Sequence, residues 1–280
     1  MKLRLRNHSL DLSQKTLIMG ILNVTPDSFS DGGTYFSRAS AIDRALQMAD
    51  EGADIIDIGG ESTRPGAEPV SLEEELDRTI PVITELARKL SIPISIDTYK
   101  AEVARRALEA GASIVNDISG LRFDPKMAET IAAYDAAVVI MHIKGTPKDM
   151  QVNPHYDDLF GEIISYLKEG IEMARSSGID EEGMIVDPGI GFGKRPEHNL
   201  LIINQLKRFT VLDKPILMGV SRKSFIGIAL DNAPPQERLE GTAAAVALSV
   251  YNGAQIVRVH DVKEMVRVVR VVDAIKREAF

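Results

Sequence analysis

IIDIGGESTRPG, residues 55–66, is an apolar run with a carboxylate at its centre. It breaks on two glycines and opens into a loop that carries a hydroxyl and a guanidinium. A continuous apolar run of this length suits a strand buried on both faces, as in a parallel sheet. Asp57, Thr63 and Arg64 then arrive at or beyond the carboxyl end of that strand. The same arrangement recurs along the chain. Residues 16–24 (TLIMGILNV), 54–60, 93–97 (PISID), 113–118 (SIVNDI), 136–142 (AAVVIMH), 184–187 (MIVD), 215–220 (PILMGV) and 255–260 (QIVRVH) read as eight strands.

Helical patterns fill the intervals. Ser40 offers an N-cap to a helix that Gly52 ends. Ser71-Leu72-Glu73-Glu74 matches a capping box for a helix reaching about residue 90. Further helices are predicted over 100–110 (closed by Gly111), 125–133, 157–177, 196–208, 224–230, 235–252 and 262–277. The last has Met265, Val268, Val269, Val272 and Ile275 facing inward. Strict strand–helix alternation implies a parallel sheet. Eight units suggest closure into an α/β (β/α)8 TIM barrel, with an open doubly wound sheet as the alternative. Residues 1–14 read as a short strand pair capping the barrel bottom. No linker or low-complexity stretch divides the chain, so residues 1–280 are expected to be one domain.

The composition is that of a globular protein with ample core: 44% of the residues are apolar, and there is no cysteine. Thiolate metal sites, cysteine nucleophiles and disulfides are thereby excluded. A net charge of −8 argues against a nucleic-acid backbone or an anionic membrane as partner, though not against a local cationic pocket. The N-terminus lacks the continuous apolar stretch of a signal peptide, and no run approaches a membrane span. The expected location is the cytoplasm.

The strand ends carry Asn23, Asp57, Asp97, Asn116, His142, Asp187, the SRKS turn at 221–224, and Arg258 with His260. In a barrel all of them point to one rim, where the loops build an active site. Chance placement is a poor explanation, since each unpaired buried polar group costs roughly 1–3 kcal/mol. Asp97, Asp187, Asn116 and Lys223 together suit a flat heterocycle with an amidine-like edge, with structural salt bridges as the plainer reading of either carboxylate. Asn23, Arg258 and His260, on the first and eighth strands, suit an anion; His260 could instead pair with Asp261. Asp57 is either a site residue or a support beneath one. Thr63, Arg64 and Pro65, with Ser224 opposite, either receive a second ligand or fold their own loop. Residues 189–194 (GIGFGK) fail the phosphate-loop pattern, because Pro188 and Arg195 stand where Gly and Ser or Thr are needed. His8, His155 and His198 have no metal-ligand spacing and read as structural or solvated.

Taken together and in order, LNVTPDSFSDGG (22–33), DIGGESTRPGA (57–67), SIDTYK (95–100), NDISG (116–120), DPGIGFGK (187–194), GVSRKSFIG (219–227) and RVHDV (258–262) make a chain that resembles the bacterial dihydropteroate synthase family over essentially its whole length. The resemblance implies condensation of a hydroxymethyl-dihydropterin diphosphate with p-aminobenzoate, releasing diphosphate, with Mg²⁺ as cofactor. It implies that Asp97, Asn116, Met141, Asp187, Phe192, Lys223 and Arg258 hold the pterin. Asn23, Asp57, Arg258 and His260 would hold the diphosphate, with Asn23 at the metal. Thr63, Arg64, Pro65 and Ser224 would take p-aminobenzoate, where sulfonamides compete. Asp97, Lys223, Arg258 and His260 would be the catalytic groups, and the assembly a homodimer. No nucleophile–base pair is evident, and none is needed if diphosphate leaves first. Two alternatives share the pterin pocket. A methyltransferase acting with a corrinoid protein needs no STRPG or SRKSF loop, and a non-catalytic barrel predicts damaged loops.

Overall fold

The computed structural model describes residues 1–6, 8–24, 34–64 and 66–279. The chain opens with an antiparallel hairpin, β1 (Lys2–Arg4) and β2 (Ser9–Asp11). Eight parallel strands follow: β3 (Leu17–Asn23), β4 (Ile55–Gly59), β5 (Ile94–Asp97), β6 (Ile114–Asp117), β7 (Ala137–Met141), β8 (Met184–Asp187), β9 (Leu217–Met218) and β10 (Ile256–Val259). They lie in the order β8-β7-β6-β5-β4-β3-β10-β9. A parallel bridge between Val186 and Ile216 joins the two ends into a nearly closed barrel. The helices between them are α1 (Thr34–Glu51), α2 (Leu72–Lys89), α3 (Ala101–Ala110), α4 (Met127–Ala133), α5 (Leu159–Ser176), α6 (Pro196–Asn204), α7 (Ser224–Ala229), α8 (Leu239–Tyr251) and α9 (Val262–Arg277). This is the TIM-barrel architecture that the alternation predicts.

Strand pleating sorts the side chains. Ile18, Ile56, Ile58, Ile96, Val115, Ile140, Val186 and Val257 face outward into one large cluster with the helices. Met19, Ile55, Ile114, Val139, Ile185, Leu217 and Ile256 face inward and pack with Leu3, Leu5 and Leu12. The hairpin is therefore the apolar plug of the lower end. Side chains alternate with period two, so the next inward positions are Asp57, Asn116, Met141, Asp187 and Arg258. The register sets Asn23 beside Gly59, Gly59 beside Asp97, and Asp97 beside Asn116.

Several boundaries differ from the sequence reading. Helix α1 begins at Thr34, so Ser40 lies inside it rather than capping it. Ser71 does cap α2, accepting from the Glu74 N–H at 3.1 Å. Strand β9 is two residues long: Pro215 has no N–H to give a ladder, and Gly219 has no side chain to pack. Beyond α6 the predicted helix tightens into a 3-10 segment over Leu206–Leu212. The 235–252 pattern divides into a turn at Pro235–Glu237 and α8. Ile275 is 61% exposed, and Val266 takes the inward place on α9. No described helix is long and apolar enough to cross a membrane.

Candidate active site

The upper inward layer is charged. Asp57 is fully buried; its Oδ2 accepts from Arg258 Nε at 2.6 Å and from Asn116 Nδ2 at 3.0 Å. Its Oδ1 is buried with no protein partner. The same guanidinium donates from Nη2 to Asp97 Oδ2 at 2.7 Å. Asp57 thus pairs with a site residue rather than standing alone, and Asp97 does make a salt bridge. Burial and the nearby Asp57 push the Asp97 pKa up, against the opposing pull of Arg258. Burial disfavours the arginine charge, but Asp57 and Asp97 outweigh it and hold the Arg258 pKa above its usual value. Gly59 lies between Asp97 and Asn23: a Cβ on it would make ordinary contacts, 3.7 Å from Asp97 Oδ2 and 3.9 Å from Asn23 Oδ1.

Across the rim, Asp187 is buried and its Oδ1 accepts the Gly189 N–H at 2.7 Å. Burial raises its pKa to about 6, opposed by that hydrogen bond and by Lys223. Burial and Arg258 lower the Lys223 pKa to about 8. The ammonium sits 4.3 Å from the centre of the Phe192 ring, a cation–π geometry. Phe192 and Met141 belong to an apolar patch with Ile118, Ile143 and Met150, with Tyr99 against it. The arrangement offers a carboxylate edge, an amide, a cation and an apolar wall to one flat, donor-rich ring.

The 221–224 turn is shaped by Arg222 at φ +57°, in the left-handed region. Its N–H donates to Thr242 Oγ1 at 3.0 Å, and its carbonyl accepts from Arg238 Nη1 at 2.9 Å. The Arg222 guanidinium pairs with Asp261. That pair takes the carboxylate open to His260 in the sequence reading. The His260 Nδ1 instead lies 3.0 Å from Ser221 Oγ. Burial and Arg258 lower the His260 pKa to about 3, so the ring is neutral near neutral pH. Lys223 and the exposed Ser224 project from this turn.

Thr63 and Arg64 lie on the loop after β4, Arg64 exposed; Pro65 and residues 25–33 fall outside the described residues. The loop meets its neighbour after β7 through the Gly66 N–H, which donates to Pro147 O at 3.1 Å, and through Lys148–Glu68. Its base is held by residues the sequence reading passed over. Glu61 accepts from Tyr99 Oη at 2.5 Å and from Lys100 Nζ; Lys100 also reaches Glu75, and Arg78 Nη1 donates to Gly60 O at 2.7 Å. The signal was the lone carboxylate directly after Gly59-Gly60. His142, expected at the rim, turns the other way. It follows the inward Met141, so pleating sends it outward, where its ring meets Tyr166 and Tyr156 and its Nδ1 lies 2.8 Å from Lys194 Nζ. Among the described residues no group of three or more His, Asp or Glu could hold a metal ion.

Comparison with known proteins places this geometry. The family of pterin binding enzymes matches residues 19–260. A dihydropteroate synthase from Synechocystis sp. is 51% identical over 267 residues, covering 95% of this chain and 92% of the relative. The Yersinia pestis dihydropteroate synthase, solved with a sulfonamide drug complex, superposes with a TM-score of 0.93 at 44% identity, covering 99% of this chain and 100% of that one. The Xanthomonas albilineans dihydropteroate synthase, solved in complex with 7,8-dihydropteroate, gives a TM-score of 0.89 at 40% identity, each chain 99% covered. The sequence, the barrel and the charged rim lead to one placement: the chain belongs to the dihydropteroate synthase family of pterin binding enzymes.

Proposed function

We infer that this chain is a dihydropteroate synthase, joining a hydroxymethyl-dihydropterin diphosphate to p-aminobenzoate, and that residues 1–280 act as one pterin-binding barrel domain. The observation that carries the reading is the convergence of Asp97, Asn116, Asp187 and Lys223 on one rim above an apolar floor. A pterin presents an amino-pyrimidinone edge, from which one carboxylate accepts two parallel hydrogen bonds. Asp187 takes that edge, with Asp97 and Asn116 on the ring's other polar atoms and Lys223 over it. Met141 and Phe192 form the wall. Arg258 stacks on the ring and faces the diphosphate with His260 and Asn23, while Asp57 fixes the guanidinium from below. Thr63, Arg64, Pro65 and Ser224 receive the aminobenzoate, and sulfonamides compete there.

Mg²⁺ fits this donor set in one way. Among the described residues no carboxylate cluster could hold the ion, so Asn23 would hold it through its amide oxygen, beside the substrate diphosphate. When bound, it supplies charge stabilisation to the leaving diphosphate. The protein supplies the rest. Arg258, and His260 as a neutral donor, bind the developing diphosphate charge while the pterin CH2–O bond breaks. The ring delocalises the resulting methylene cation. The amine lone pair, aimed by the Thr63–Arg64 loop, closes the C–N bond, and the nitrogen gives its proton to the departed diphosphate or to water. A corrinoid-linked methyltransferase would have no use for that loop.

Incubating the protein with pterin diphosphate, p-aminobenzoate and Mg²⁺ should release diphosphate and dihydropteroate together; no turnover overturns the reading. Diphosphate release without the amine supports the dissociative order, and strict dependence on the amine rules it out. The exposed Leu248 and Tyr251 of α8 and Val271 and Ile275 of α9, on helices packed side by side, support a homodimer, and the location is cytoplasmic. Sedimentation at one monomer mass would exclude the dimer.

A further inference from the structure

We propose that the Lys194–His142 pair, buried behind the pocket wall, is a positioning device that sets Phe192 and Lys223 for recognition of the pterin ring. The proposal rests on the pterin reading of the site. Lys194 is 2% exposed and is among the largest fully buried side chains among the described residues. Its Nζ lies 2.8 Å from His142 Nδ1 and donates to Phe192 O at 3.1 Å. A buried amine is costly unless hydrogen-bonded, and an apolar side chain of equal length would fill the space without that cost. What the amine adds is direction: it draws down the carbonyl of the residue whose ring lines the pocket.

The surroundings fix the pair in turn. The His142 ring is held edge-on to Tyr166 at 4.7 Å between centres, and the His142 N–H donates to Asp187 O at 2.9 Å. The loop after β8 packs closely on the His142 backbone, since a Cβ on Gly189 (φ +72°) would come within 1.9 Å of the His142 carbonyl oxygen. Gly191 and Gly193 also have positive φ, so the loop bends three times in six residues. Three further polar groups of the loop have partners elsewhere. The Gly191 N–H donates to Asn199 Oδ1 at 2.8 Å, Gly191 O accepts from Gln151 at 2.6 Å, and Gly193 O accepts from Tyr156 Oη at 2.7 Å. Lys194 supplies the side-chain donor to Phe192 O. Phe192 carries Lys223 over its ring, so one shift of that carbonyl moves both the wall and the cation. The charged groups that act on Lys194 are Asp187, Lys223 and Lys144; burial outweighs the one favourable neighbour and holds both Lys194 and His142 well below their usual pKa values. With the amine donating to both Phe192 O and Nδ1, the imidazole proton sits on Nε2.

The test compares Lys194→Met, His142→Leu and His142→Asn by thermal unfolding, by calorimetric titration with the pterin diphosphate, and by the KM of each substrate. Asn carries its amide oxygen where Nδ1 stood and restores an acceptor for Nζ. Lys194→Met and His142→Leu should unfold cooperatively and weaken pterin diphosphate binding about tenfold, the effect of one lost directing hydrogen bond, with the KM for p-aminobenzoate changed by less than about twofold. His142→Asn should recover most of the lost affinity. Unchanged pterin affinity in the folded variants, equal rises in both KM values, or an Asn variant no better than the Leu variant would overturn the positioning role. If Lys194→Met does not fold, the two His142 variants decide. Failure of the wild-type protein to bind pterin diphosphate would overturn the functional reading and this inference with it, whereas wild-type binding beside unaffected variants overturns this inference alone.

Discussion

At the lower end of the barrel, Ile55, Ile114, Ile185 and Ile256 interlock with Leu3, Leu5 and Leu12 of the hairpin. Two residues further along the same strands stand Asp57, Asn116, Asp187 and Arg258. One pleat separates a close-packed apolar plug from a layer of paired charges. Both layers are buried, so burial alone does not mark the site. The difference is that the lower layer is apolar but for Ser95, whose Oγ has no protein partner, while the upper one leaves the carboxylate oxygen Asp57 Oδ1 unpartnered and turns carboxylates and cations toward an open rim. On the proposed function the lower layer serves stability and the upper a ligand, and substitutions in the two should separate accordingly.

The largest effect is expected from Arg258→Ala. It strands Asp57 and Asp97 side by side without their cation, so unfolding in urea should show a loss of about 3–5 kcal/mol together with loss of turnover. A variant of unchanged stability would mean that the upper layer is not a coupled network. Leu3→Ala, in the plug, should cost about 3 kcal/mol in the same measurement and leave both KM values alone. A plug substitution that shifted KM would break the division between the layers.

A smaller effect concerns pH. His260 has a pKa of about 3 in the folded protein and about 6.5 when unfolded. On acidification the unfolded chain takes the proton first. The His260 contribution to stability is therefore flat above about pH 6.5 and falls by about 1 kcal/mol per pH unit on the way down toward the folded pKa. His260→Asn should lose that part of the slope, and equal slopes between pH 7 and 5 for variant and wild type would contradict a neutral buried His260. Arg64→Ala should be the mildest: stability within about 0.5 kcal/mol, as for an exposed loop residue. Its KM for p-aminobenzoate should rise and that for pterin diphosphate should not. Equal rises would make the loop a structural element of the whole rim.

The sequence shows the barrel because each buried parallel strand is a nearly uninterrupted apolar run, and eight such runs alternate with helical patterns. It also shows the charged layer, since Asp57, Asp97, Asn116, Asp187 and Arg258 stand out against those runs. What the runs conceal is facing. A strand apolar on both faces gives no alternation to count, so His142 reads as a rim residue until pleating puts Met141 inward and His142 outward. Asp117, beside the inward Asn116, is a similar case: its carboxylate accepts the Ser119 and Leu121 N–H groups of its own turn. The Glu61–Lys100–Glu75 cluster was hidden because its members come from three separate motifs and meet only across the folded rim. Ile275 was misplaced because α9 turns a different stripe inward, with Val266 and the buried Asp273, which accepts from Thr16 N at 2.8 Å.

The claim that the upper layer holds the pterin is tested most directly by titrating pterin diphosphate into the wild-type protein and into Asp187→Asn by calorimetry. The amide keeps an oxygen for the Gly189 N–H, so the fold should stand. It cannot accept two parallel hydrogen bonds from the pterin edge. The account predicts tight binding to the wild type and a loss of at least about 2 kcal/mol, roughly thirtyfold, in the variant. Equal affinities for the two proteins would contradict it.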